Sequence, residues 1–481
     1  MKKLQNYIAG EFVNPVDGEW LDVFEPATGK VYTQSPASTG ADVQHAYEAA
    51  QSAFPEWSGF TAERRAGYMY TLADLIERDL TRLTKAESCD TGKPIGVART
   101  VDIPRAAANF RFFAGAILHS ESTSHDTDGQ AINYTLRKPR GVAGLISPWN
   151  LPLYLLSWKI APAIATGNTC VAKPAEVTPM TAYLLGELIT EAGFPPGVVN
   201  IVHGLGDPCG KAIVEHQNIP TISFTGSTAV GKWIGATAGG MLKRVSLELG
   251  GKNPNIIFAD ADLDQAVENA CRGAFSNQGQ ICLCGARILV EESIAKEFSA
   301  RLVERTRKIR LGDPSVDGVE FGALVSREHL AKVAGMVDRA KELGGKVLTG
   351  GKRYAPDSPR CNDGYFYEPT IITNLDMQCE IQQNEIFGPV VTIATFKNEQ
   401  TAVELANSTA FGLAAMIWTR DVSRAHRVAQ AIEAGIVWVN CWMLRDLRTP
   451  FGGAKASGVG REGGTEALRF FTEPKNVCVK L

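Results

Sequence analysis

Between residues 141 and 251 short apolar runs alternate with helix-patterned stretches at the spacing of a nucleotide-binding unit. A chain with that rhythm is confined to an α/β fold built on a parallel sheet. Residues 141–146 (GVAGLI) and 168–172 (NTCVA) read as short buried strands. A helix is expected over 180–192, then a Gly-Phe-Pro-Pro-Gly turn and a strand over 198–202. A further strand over 221–224 runs into Gly226 and another helix. Upstream, 41–54 and 61–83 carry apolar residues at helical spacing, the second as one long helix. The pair Gly250-Gly251 reads as an inter-domain hinge or an ordinary turn. Beyond it, strands over 255–258 and 286–290 alternate with helices over 263–275, 294–308 and 327–343. The polar stretch 120–137 interrupts the first α/β region, as a hairpin leaving its domain would.

At 481 residues the chain is long enough for two or three domains. Its 49 Lys and Arg against 52 Asp and Glu leave a net charge of -3, without the basic excess of a nucleic-acid binder. A hydrophobic share of 44% excludes a disordered acidic chain. The start MKKLQNYIAG lacks the apolar region of a signal peptide. The best apolar run, 141–165, is broken by Pro148, Asn150, Pro152, Lys159 and Pro162 and fails as a membrane span. Ten cysteines without framework spacing point to reduced thiols and a cytoplasmic location.

Two glycine-rich turns follow strands. Residues 204–210 (GLGDPCG) miss the dinucleotide fingerprint by one position and read as a strand-helix turn. Residues 226–232 (GSTAVGK) continue with Trp233 where a P-loop needs a hydroxyl for magnesium, which excludes an NTPase. A helix N-terminus with small residues remains, suited to a phosphate group. Asp260, Asp262 and Asp264 lack the glycine and glutamate of a calcium loop and read as a helix N-cap. The seven histidines show no ligand spacing, and Cys282-Leu283-Cys284 is too tight for a zinc knuckle, so no metal is expected. What remains is thiol chemistry. Cys282 sits in a glycine-containing turn, Asn150 closes a strand with an amide, and Glu248 ends an apolar strand where burial raises a carboxyl pKa. Glu385 and Phe387 add a further acid and an aromatic. A thiol, a tunable acid and an amide donor are the parts needed for acyl chemistry through a thioester.

Together these segments resemble the aldehyde dehydrogenase superfamily over the whole chain. PWN (148–150), KPAEVTP (173–179), FTGSTAVG (224–231), LELGGKNP (247–254), NQGQICL (277–283), EIFGPV (385–390) and FGGAKASGVGREGG (451–464) stand in family order. Asn384 replaces a common acid. The resemblance implies a Rossmann-type NAD-binding domain (1–120 and 138–250) and an α/β catalytic domain (251–450). It adds a β oligomerisation arm with the C-terminal segment (121–137 and 451–481), whose free strand edges call for a homodimer or homotetramer. It implies Cys282 as nucleophile, Asn150 and the Cys282 N–H as oxyanion donors, and Glu248 as the base for thioester hydrolysis. For NAD it implies Lys173 and Glu176 at the adenosine ribose, and Gly226 and Ser227 at the pyrophosphate. Glu385 falls at the nicotinamide ribose and Phe387 behind the ring, with Trp149 packed beside them. A carboxylate at Glu176 repels a 2′-phosphate, which favours NAD over NADP.

In that family the loop before the FGG segment lines the aldehyde tunnel, and here it reads CWMLRDLRTP (441–450). Arg445 and Arg448 there call for an anionic substrate, because an unpaired guanidinium is costly to bury. The resemblance puts Arg105 at the tunnel mouth and Trp158 and Phe451 in its wall, while Arg448 is open between substrate and a pair with Asp446. The segments ARTVDIPR (98–105), NFRFFA (109–114) and NCWMLRDLRTPFGG (440–453) narrow the likeness to enzymes of 2-hydroxymuconic or 2-aminomuconic 6-semialdehyde. These products of aromatic catabolism carry a carboxylate opposite the aldehyde. NAD-dependent oxidation of such a semialdehyde to the dicarboxylic acid is the expected function. The alternative is a broad aliphatic or betaine aldehyde dehydrogenase. A non-catalytic NAD-binding or structural protein and a CoA-dependent acyl transferase are further readings, which the intact Cys282, Glu248 and Asn150 disfavour.

Overall fold

The computed structural model describes residues 3–481. Five parallel strands form the centre of an eight-stranded sheet, in the order Val199–Ile201, Thr169–Lys173, Val142–Ile146, Thr221–Thr225 and Arg244–Glu248. The chain therefore runs outward in one direction, returns to the middle and continues in the other. Ligands of open α/β sheets bind outside the carboxyl ends of the strands at such a reversal. The register sets Ile146 level with Lys173 and Phe224, and Thr225 level with Glu248. Four loops that carry expected site residues thus leave one edge of the sheet together. Antiparallel strands close both sides, Asn6–Ile8 with Glu11–Val13 on one and Gly458–Val459 on the other.

Both faces of this sheet are covered, so its central strands are buried along nearly their whole length, polar positions included. Helices Ala62–Arg78, Ile103–Leu118 and Pro152–Ala165 bury Met69, Leu72, Phe110, Phe113, Leu156 and Ile160 in one core. Helices Gly40–Gly59 and Thr228–Gly240 contribute Val43, Ala46 and Ile234 to the other. A second sheet of seven strands contains, from its centre outward, Arg287–Glu291, Pro254–Ile257, Ala414–Trp418 and Ile436–Val439, all parallel. Val390–Phe396 lies parallel on the other side of Arg287–Glu291.

The single helix expected over 61–83 is two. Ala62–Arg78 stops at Asp79, and Leu80–Thr91 starts anew. Asp79 leaves helical geometry (φ -89°, ψ 16°), and its carboxylate takes the Arg78 and Arg82 guanidiniums at 2.8 and 3.4 Å. The apolar stripe continues across the break, and Leu83 still reaches the same core. The interrupted region is a hairpin, Ser124–Thr127 with Ala131–Pro139. The C-terminal strand Thr472–Lys480 pairs with it from Thr472 opposite Pro139 to Lys480 opposite Ala131. Residues 458–470 lie instead with the first sheet, where helix Gly464–Phe470 buries Ala467 and Leu468. Among the described residues no helix is long and apolar enough to cross a membrane.

Candidate active site

Helix Leu263–Phe275 ends in a turn whose backbone is left-handed three times running: Asn277 (φ 50°), Gln278 (φ 57°) and Gly279 (φ 70°). Two non-glycine residues in that region persist only where their surroundings enforce it. Gln278 donates to the carbonyls of Gly92 (3.2 Å) and Ala323 (3.0 Å), and Asn277 donates to that of Asn150 (3.1 Å). The Gln280 side-chain oxygen accepts from the Val325 N–H at 3.1 Å. A Cβ on Gly279 would collide with the Gly388 carbonyl. Beyond the turn, Asn253 donates to the carbonyls of Cys282 (2.7 Å) and Cys284 (2.8 Å). Cys282 is thereby held half-buried just before strand Arg287–Glu291. Burial, then the Glu385 and Glu248 carboxylates, push its thiol pKa up, against the pull of Arg445.

Asn150 is buried in the loop after Val142–Ile146 and donates one amide hydrogen to the Gln280 carbonyl at 2.9 Å. A carboxamide has two such hydrogens, so one remains for an oxyanion beside Cys282. Glu248 ends its strand as expected, and neither carboxyl oxygen has a hydrogen-bond partner. Burial and the charge of Glu462 raise it well above an ordinary carboxyl, with Lys159, Arg461 and Arg445 opposing. Gly452 passes so close that a Cβ there would lie 2.6 Å from Glu248 Oε1. Nearby, Lys159 Nζ donates to Ser223 Oγ and Glu462 Oε1, both at 2.9 Å, and Ser223 donates to Glu462 at 3.0 Å. Sequence reading passed over Lys159 and Glu462. The available signal was Lys159 itself, a charge in an apolar helix that can stay buried only with a partner.

Lys173 and Glu176 form an ion pair at 3.6 Å, and Lys173 Nζ also donates to the carbonyls of Pro174 and Gly204, each at 2.8 Å. Ser227 caps helix Thr228–Gly240, its hydroxyl accepting from the Val230 N–H at 3.3 Å. The Gly226 N–H donates to the Glu248 carbonyl at 3.0 Å, and a Cβ there would strike the Phe224 ring. Glu385 accepts from the Gly251 N–H at 2.9 Å. A Cβ on Gly250 would fall on the Glu385 carboxylate, so this glycine is required for close approach. Neither glycine of the pair has positive φ. Phe387 (φ 60°) stands edge-on to Trp149 at 5.3 Å, and its carbonyl meets His329 Nε2 at 2.7 Å. Gly251, Cys282, Glu385 and Phe387 share the wall of one small cavity. A helix N-terminus for phosphates, carboxylates for ribose hydroxyls and an aromatic shelf form a donor set that fits NAD.

The other expected residues converge on a second wall. Arg445 donates to the Tyr154 hydroxyl at 2.7 Å and lies 4.1 Å from the Phe451 ring centre and 5.7 Å from that of Trp158. Arg105, on helix Ile103–Leu118, lies 5.4 Å from the Tyr154 ring and 5.7 Å from Trp158. Its Nε donates to Asn109 at 3.2 Å, but Nη2 is buried with no partner. Burial lowers its pKa, opposed by Tyr154 and reinforced by Arg445. Among the described residues neither guanidinium forms an ion pair. Arg448 differs: it clasps Asp446 through Nε (3.0 Å) and Nη2 (2.6 Å) in the open. Tyr154 was missed, since an aromatic in an apolar helix looks like core.

The aldehyde dehydrogenase family model matches residues 12–477. The 2-aminomuconic semialdehyde dehydrogenase of Danio rerio is 51% identical, over 99% of this chain and 98% of its own. The 2-hydroxymuconic semialdehyde dehydrogenase of Pseudomonas sp. (strain CF600) is 46% identical over 100% of both. Among solved structures, the NAD+ complex of an aldehyde dehydrogenase from Bacillus cereus superposes with a TM-score of 0.97 at 40% identity, covering 100% of this chain and 97% of that one. The chain belongs to the aldehyde dehydrogenase family.

Proposed function

We propose that the protein oxidises a semialdehyde with a carboxylate at its far end, of the 2-aminomuconic or 2-hydroxymuconic kind, to the dicarboxylic acid, with NAD as acceptor. The observation that carries this is the meeting of Arg105 and Arg445 on one aromatic wall, unpaired and with Arg105 Nη2 buried. Burying a guanidinium without an acid is unfavourable, and a substrate carboxylate relieves it. Betaine aldehyde, a cation, would meet two like charges there. The named activities of the relatives from Danio rerio and Pseudomonas agree with this reading.

Cys282 gives its thiol proton up to solvent, with the Arg445 charge favouring the anion against burial and the neighbouring acids, and the thiolate Sγ attacks the aldehyde carbon to form a thiohemiacetal. The Asn150 side chain and the Cys282 N–H receive the oxyanion, each such donor being worth roughly 3 kcal/mol. The chemistry supplied by bound NAD is acceptance of a hydride, which leaves a thioester on Cys282. Glu248 then takes a proton from water, and the raised pKa that burial gives it suits a base. Lys159 and Glu462 set the local charge against which Glu248 titrates. Exposed strand Ser124–Thr127 and the apolar side chains Ile132, Leu136 and Val479 support assembly as a homodimer or homotetramer.

The direct test is NADH formation at 340 nm by the purified protein with 2-hydroxymuconic semialdehyde, hexanal and betaine aldehyde. A kcat/KM at least tenfold higher for the carboxylated substrate is expected. Preference for either uncharged or cationic aldehyde would refute the substrate assignment.

A further inference from the structure

Lys93 is completely buried, yet no step above uses it. It follows Gly92 (φ 73°) just after helix Leu80–Thr91, between that helix layer and the catalytic loops. Its ammonium touches Asp102 at 2.5 Å and Glu87 at 3.7 Å, both equally buried. It also donates to the backbone carbonyl of Asn150 at 3.1 Å. That carbonyl is the one that accepts from Asn277, the first left-handed residue of the nucleophile turn. One residue earlier, the Gly92 carbonyl accepts from Gln278 in the same turn. Asp102 in turn closes the helical segment that leads directly into Ile103–Leu118, the helix carrying Arg105.

A cation and two acids buried at this depth are a poor way to gain stability, since apolar replacements of such clusters are often neutral or better. Their placement has a second consequence. One ammonium holds the peptide of Asn150, whose carbonyl also takes the Asn277 amide of the turn that presents Cys282, and pairs with the acid that ends the segment before the Arg105 helix. We infer that Lys93 is a positioning residue of the oxyanion hole, acting through the Asn150 carbonyl to hold the Asn150 amide in register with Cys282. This rests on the reading of Asn150 as oxyanion donor, and the test separates the two claims.

The experiment is a double-mutant cycle on the full enzyme with saturating NAD and 2-hydroxymuconic semialdehyde, reading the rate of the first NADH turnover. Its members are wild type, Lys93→Met, Asn150→Ala and the double variant. Lys93→Met is expected to slow that turnover about tenfold or more, as misplacing an oxyanion donor does. NAD affinity, read by tryptophan quenching, should stay within about twofold. In the Asn150→Ala background the same change should cost less than about twofold further, because residues acting as one unit are not additive. Because Lys93→Met leaves Asp102 buried and unpaired, Lys93→Met/Asp102→Asn runs through the same cycle should the single variant not fold. An undiminished rate in Asn150→Ala would refute the role of Asn150 itself. An equal loss from Lys93→Met in both backgrounds, or none in either, would overturn the assignment of Lys93.

Discussion

Glu248 illustrates how a single residue is tuned by its surroundings. Its carboxylate has no hydrogen bond to stabilise the charge, and Glu462 adds a second negative charge nearby. A base works only when deprotonated, so thioester hydrolysis should rise with pH through a limb well above the ordinary carboxyl range. Removing the opposing acid in Glu462→Gln should move that limb to lower pH, and removing the cation in Lys159→Met should move it higher. Stopped-flow hydrolysis of the preformed acyl-enzyme across pH checks both directions, and unmoved limbs in both variants would disconnect the pair from Glu248. Glu248→Ala should still give one equivalent of NADH and then stall, leaving an acylated Cys282 visible by mass spectrometry. Cys282, Asn150 and Glu248 were legible because each is a chemically distinctive group in an otherwise apolar or glycine-rich segment. Glu462 was not, because its contact with Lys159 spans 303 positions and exists only after the sheet has formed.

At the scale of elements, the strand ends determine what can meet. The alternation of apolar runs and helical periodicity revealed the parallel strands and the helix Leu263–Phe275, since periodicity is the direct trace of which face is buried. It did not reveal the break at Asp79, where the apolar stripe continues across two helices and the backbone of a single residue leaves helical geometry. Nor could it show that Thr472–Lys480 pairs with Ala131–Pro139, a register fixed by contacts more than 300 residues apart. The glycine pair was visible, but its purpose was not: Gly250 leaves room for the Glu385 carboxylate. Gly250→Ala should therefore displace Glu385 and weaken NAD binding about tenfold, within the roughly 1–3 kcal/mol that overpacking costs. Titration of the cofactor by tryptophan quenching measures this, and an unchanged affinity would deny Glu385 a part in holding it.

The whole molecule supplies what no single element contains. The antiparallel sheet of Ser124–Thr127, Ala131–Pro139 and Thr472–Lys480 exposes apolar side chains and an unpaired edge, so light scattering at micromolar concentration should give the mass of a dimer or tetramer. A monomer would contradict that expectation. The aromatic wall that holds the two arginines is likewise composite: Arg105, Tyr154 and Trp158 come from helices covering the first sheet, while Arg445 and Phe451 come from the segment after the last strand of the second. This convergence is the basis for assigning a carboxylated substrate, and Arg445→Ala tests it most directly. A charged contact to substrate is worth roughly 1.5–3 kcal/mol, so kcat/KM for 2-hydroxymuconic semialdehyde should fall about ten- to a hundredfold. Hexanal gains nothing from the guanidinium, and its kcat/KM should change little or rise. The decisive quantity is the ratio of the two substrates in wild type and variant: collapse of that ratio is the expected result, and equal losses on both would show that Arg445 only supports its loop.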